Sequence, residues 1–157
     1  MGLAERMEAA RLIGKYKALL LKELPNSQAR LTRWDNLMDE ANNKKNALAA
    51  NQARDCLRAA SRYDTLLNKL AGFIKRVSLL RDDSVKIGDF IGNMKTNGNL
   101  ANRAYRDYVF EKELFWSLFG KGDWDDRLIR WVNEDHPNWD AAIRIFKEFS
   151  RMSVTIS

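Results

Sequence analysis

The sequence is poor both in residues that interrupt helices and in residues that carry covalent or metal chemistry. Two prolines, Pro25 and Pro137, and eight glycines are spread over 157 residues. Between them lie mostly Ala, Leu, Lys, Arg and Glu, the better helix formers. No stretch sustains the period-two alternation of a half-buried strand, so the expected fold class is all-α. One cysteine, Cys56, excludes an internal disulfide, and the one histidine, His136, is too far along the chain to complete an ordinary zinc site with it. The acidic clusters "DWDD" (123–126) and "NEDHP" (133–137) lack the glycine and ligand spacing of a calcium loop, and read as capping and solvation. Without strands no Gly-rich phosphate loop can follow one, and no acid, base and nucleophile are paired. Neither an enzyme nor a cofactor is expected. The longest apolar run, "ALLL" at 18–21, is too short for a membrane span or a signal-peptide core. The Met-Gly start invites myristoylation, but Arg6 stands where that motif needs Ser or Thr. These absences point to an intracellular, cytoplasmic protein with no membrane partner.

What is present is unevenly placed. Residues 1–80 carry 15 Lys/Arg against 8 Asp/Glu, whereas residues 81–157 carry 12 against 13. The whole positive excess therefore lies in the first half, which suggests an anionic partner there. Aromatic residues are skewed the other way, with eleven of sixteen between Tyr105 and Phe149. The chain divides into a basic helical half, 1–95, and an aromatic-rich helical subdomain, 99–157.

Leu3, Met7, Ala10, Ile13, Leu20, Leu21 and Leu24 recur at helical spacing, and Pro25 is expected to end that first helix. From Asn26 to Ala71 there is neither Gly nor Pro. Leu31, Trp34, Met38, Ala41, Lys45 and Leu48 step by three and four. After a shift through Gln52 the pattern resumes as Cys56, Ala59, Tyr63, Leu66, Leu70, Phe73, Val77 and Leu80, a heptad seam with one stutter. One reading is a single helix over about 27–81, whose seam would drive homo-oligomerisation. The other is a hairpin turning in "ANNKKNA" (41–47), where three Asn lower helix propensity; a compact bundle favours it. Asp83 or Ser84 caps the next helix, in which Gly88 and Gly92, on one face, allow close helix approach. "TNGN" (96–99) is expected to break it. An aromatic helix from Leu100 to Phe119 follows, with Ala104, Tyr108, Phe115 and Leu118 on one side, ended by "GKG" (120–122). Two last helices are expected over about 123–134 and 138–152, giving a bundle of about five to seven.

Those last two helices open alike, "DWDDRLIRW" (123–131) and "NWDAAIRIF" (138–146). Helix-start physics accounts for each matched position. Asp123 and Asn138 serve as N-caps, Asp125 and Asp140 complement the helix dipole, and Trp124 and Trp139 clamp back onto the core. Two copies at this short period do not make a ligand-binding repeat.

The strongest functional signal is a stripe of charge. Arg54, Arg58 and Arg62 recur every four residues, and Lys69 and Arg76 continue the face at heptad steps, roughly 100° round from the apolar seam. Such a ridge can track a phosphate backbone without reading sequence. Asp55 and Asp64 lie near enough to weaken it. Arg11, Lys15 and Lys22 share a side of the first helix and would widen the patch. Trp34, with Arg30 and Arg33 beside it, could stack on a base, although a Trp at a seam position is more often core. The competing reading of the stripe is a solvated helix face. Two functions follow: a non-enzymatic subunit of a nucleoprotein assembly that contacts nucleic acid or another polyanion, or a self-assembling, virion-type scaffold acting through helix–helix contacts.

Overall fold

A computed structural model describes residues 2–135, 142–148 and 151. The chain is an all-α bundle, with no strand among the described residues. The elements are α1 (Leu3–Asn43), α2 (Ala47–Arg76), α3 (Ser84–Phe119), α4 (Asp126–Glu134) and a short α5 (142–148). None of these helices is long and apolar enough to cross a membrane.

The chain separates into two compact units: unit 1 from Met1–Leu24, Thr65–Asn102 and Asn138–Ser157, and unit 2 from Pro25–Asp64 and Arg103–Pro137. A division at residues 95–99 falls inside α3, which runs through "TNGN" without a break. Gly98 is buried there, and a Cβ on it would lie 2.4 Å from Phe146 Cε2. That glycine is the seat of an aromatic ring rather than a helix stop. Gly88 and Gly92, by contrast, are exposed with open space around them and mediate no close approach.

Pro25 does not end α1 either; it lies inside it. The buried positions continue through it as Leu20, Glu23, Ser27, Arg30, Trp34, Leu37 and Ala41, a regular three–four alternation. Three of these seven are polar, which hid the continuation from a hydrophobic pattern. The proline ring faces solvent, as does Leu21, whose carbonyl loses its partner to the missing N–H.

Of the two readings of 27–81, the hairpin is the one observed. α1 closes with a Schellman turn: Asn46 N–H donates to Ala41 O at 2.9 Å and Lys45 N–H to Asn42 O at 3.0 Å. Lys45, assigned to the seam by spacing, occupies the left-handed position with φ 57°. Asn46 then caps α2, its Oδ1 accepting from Ala49 N–H at 3.1 Å. Leu48 and Leu80, also assigned to the seam, are exposed, and α2 stops at Arg76. Cys56, Ala59, Tyr63, Leu66 and Leu70 are buried as the seam requires.

In unit 2 the first turns of α2 bury only small residues, Ala49, Ala50, Ala53, Cys56, Ala59 and Ala60, ahead of the larger Tyr63. Large rings from other elements, Trp34, Tyr108, Phe115 and Trp124, share that core. Small against large is how facing layers reach close packing. Leu118, placed on the inner side of its helix by spacing, is exposed instead. In unit 1 Leu12, Ile13, Tyr16, Met94 and Phe146 line one small dry void, and Arg6 donates to Asp82 O at 2.7 Å ahead of α3. Asp83 caps α3, accepting from Lys86 N–H at 2.8 Å.

The start of α4 differs from expectation by two residues. Asp125 rather than Asp123 is the N-cap, accepting from Arg127 and Leu128 N–H. Trp124 precedes the helix, buried, and its Nε1–H donates to Phe119 O at 2.6 Å, satisfying a carbonyl at the end of α3. The matched positions of this copy therefore take other roles than the expected ones: Trp124 lies ahead of the helix rather than at its first position, and Asp125 is the cap rather than a first-turn acid. Asn138, Trp139 and Asp140 lie outside the described residues.

Candidate nucleic-acid interface

In unit 2, Arg54, Arg58 and Arg62 are all exposed on α2. Their four-residue spacing stacks them along one side of the helix, displaced from the Cys56–Ala59–Tyr63 seam. Asp64 is withdrawn from this surface: it is buried, and both its oxygens accept from Gln28 Nε2, at 3.1 and 2.9 Å. Asp55 remains exposed. Arg62 Nη1 lies 3.6 Å from Asp107 Oδ2, and both side chains are at least half exposed. A pair so placed contributes about 1 kcal/mol at most and yields readily to a phosphate.

Asp107 stands in a cationic setting on α3. Arg103, one turn before it, and Arg106, beside it, are both exposed. Sequence reasoning passed over these two because their half of the chain carries no net positive charge. Their three-residue spacing was the available signal.

In unit 1, Lys69 and Arg76 are exposed on the later turns of α2. The Arg76 guanidinium lies 5.4 Å from the Phe73 ring centroid, which holds it by a cation–π contact. Lys15 and Lys22 are exposed on α1. Arg11 is exposed too, but Glu8 binds it, with Arg11 Nε 2.9 Å from Glu8 Oε2. The hydrogen bond from Arg11 holds the Glu8 carboxyl below its ordinary range.

Arg30 must be removed from the set. It is buried at a seam position of α1, its Nε 2.8 Å and Nη2 3.2 Å from the two Asp135 oxygens. Its guanidinium lies 5.9 Å from the Tyr63 ring and 5.2 Å from the Tyr108 ring. A charge so paired and enclosed has no face left for a phosphate. Trp34 is also enclosed: its Nε1–H donates to Tyr108 Oη at 2.9 Å, and Phe115 and Trp131 pack edge-to-face on it at 5.2 and 5.8 Å. It is core and cannot receive a base. Arg33 remains exposed, lying 5.0 Å from the Trp131 ring.

The polar cluster that holds Arg30 was not foreseen. Tyr108 Oη donates to Asp135 Oδ2 at 2.5 Å, and Lys112 Nζ donates to the Asp135 carbonyl oxygen. Desolvation lowers the Lys112 pKa, against the opposing attraction of Asp135. Asp135 closes α4 at its C-cap, so the cluster fixes where that helix ends. Among the described residues no group of His, Cys, Asp and Glu could hold a metal ion. No family model, no curated protein and no solved structure matches the chain.

Proposed function

We propose that the protein is a non-enzymatic subunit of a nucleoprotein assembly that binds the nucleic-acid backbone through α2. One observation carries this reading. Arg54, Arg58 and Arg62 stand exposed on one helix face, and the ion pair this face makes among the described residues is the weak one to Asp107. Such a ridge meets phosphates rather than base edges, so sequence preference would be slight. Arg103 and Arg106 extend the contact within unit 2.

The test is the triple reversal Arg54→Glu, Arg58→Glu, Arg62→Glu. All three side chains face solvent, so circular dichroism should be unchanged. Affinity for a generic duplex should fall several-hundredfold or more, because three attractions become three repulsions. Unchanged affinity would remove this face as the contact.

A second reading, self-assembly through helix–helix protein contacts, is favoured by one different feature of unit 2. Phe110 and Leu118, two helical turns apart on α3, are both more than 60% exposed, with the half-buried Leu114 between them. Light scattering separates the readings: a dimer or larger species that Phe110→Lys dissolves would support it, and a monomer would not.

A further inference from the structure

Unit 1 holds a cleft of about 290 Å³ whose lining is unlike any other surface described above. α3 supplies Lys95, Asn99 and Asn102, spaced so that all three stand on one face. From α5 come Ile143, Phe146 and Lys147, and Arg151 completes the lining. Gly98 sets how closely the two walls approach, because the Phe146 ring occupies the space a Cβ would need.

Among the described residues three cations line this cleft and no carboxylate does. Cations gathered without a counter-charge repel one another, and an anion of two charges would relieve that repulsion. A second feature is independent of charge. Ile143 and Phe146 add an apolar wall that a bare ion would leave unused.

We propose that this cleft binds a small phosphate monoester with one flat, weakly polar face, of which a nucleoside 5′-monophosphate is the type. Its phosphate sits among Lys95, Lys147 and Arg151, with the Arg151 guanidinium able to take two phosphate oxygens at once. The base edge lies along Ile143 and Phe146. The volume is at the lower end of the range for small-molecule sites, which suits one nucleotide rather than a strand. The site does not rest on the α2 ridge and stands or falls separately from it.

Titration calorimetry on the full chain tests this with four probes: inorganic phosphate, ribose 5-phosphate, adenosine 5′-monophosphate and adenosine. The monophosphate should bind most tightly, ribose 5-phosphate next and inorganic phosphate more weakly, and adenosine should not bind. Lys147→Gln with Arg151→Gln changes two exposed side chains, leaves the fold intact and should weaken the monophosphate at least tenfold. Lys95→Gln, on the opposite wall, should weaken it independently. The triple reversal on α2 should leave it unchanged. No binding of any phosphate at millimolar concentration would overturn the proposal. So would equal affinity for adenosine and its phosphate, or indifference to the Lys147 and Arg151 changes.

Discussion

Cys56 is fully buried in unit 2, where desolvation first and the Glu111 carboxylate second push its thiol pKa above the ordinary 9.0. Burial does the same to the Tyr16 and Tyr108 hydroxyls, whose ordinary value is 10.0. The sign follows from proton counts. Above these ordinary values the unfolded chain has released protons that the folded chain still holds, so stability falls as pH rises. Each group contributes about 1.4 kcal/mol per pH unit once its unfolded form has titrated. Lys112 acts in the opposite sense: with its pKa lowered, the folded state holds fewer protons as pH approaches 10.5 from below. One group cannot offset three. The urea midpoint should therefore drop progressively above pH 9, and Cys56→Ala should delay the onset towards pH 10. A midpoint that is flat or rising across that interval would contradict the burial of these groups. Residue identity revealed some of this and concealed the rest. A lone Cys on an apolar seam reads directly as buried, but nothing local announces that Glu23, Ser27 and Arg30 are seam residues too. Their burial depends on partners distant in sequence, such as Asp135 for Arg30.

At the scale of elements, boundaries were legible where the chain supplies its own chemistry and hidden where packing supplies it. The α1–α2 turn could be read from its Asn cluster because Asn46 caps α2 with its own side chain. Lys45, however, carries a Cβ in the left-handed region, a cost of roughly 1–2 kcal/mol that glycine avoids. Lys45→Gly should accordingly raise stability by about 1 kcal/mol in urea unfolding, with the helix content unchanged. The continuity of α3 through "TNGN" is the opposite case. Intrinsic propensity argues for a break, whereas packing carries the helix through: Ile91, Met94, Ala101 and Ala104 are buried on either side, and Phe146 docks on Gly98 between them. Gly98→Ala is thus a discriminating change. Propensity alone predicts a gain of about 1 kcal/mol, whereas the Phe146 ring, itself buried, predicts a net loss of about 1–3 kcal/mol from overpacking. Thermal unfolding that shows a gain would place Phe146 elsewhere.

For the whole molecule, the count of charge by halves proved a coarse guide. It drew attention to the cations of α2, which are exposed, but it also hid Arg103 and Arg106 and the cleft of Lys95, Lys147 and Arg151. Those lie in the half whose acids outnumber its bases by one, 13 to 12. Acids and bases cancel in a sum along the chain, but they need not cancel on a surface, because folding decides which of them meet. The central claim, that exposed arginines of α2 bind a nucleic-acid backbone, is therefore a claim about a surface and is best tested by salt. Fluorescence anisotropy of a labelled duplex, titrated at several salt concentrations, gives the slope of log affinity against log salt. Each neutralised phosphate adds about 0.9 to that slope on duplex DNA, so Arg54, Arg58 and Arg62 together predict a slope of about −2.7 or steeper. A slope near zero, or no binding at all in low salt, would contradict the account.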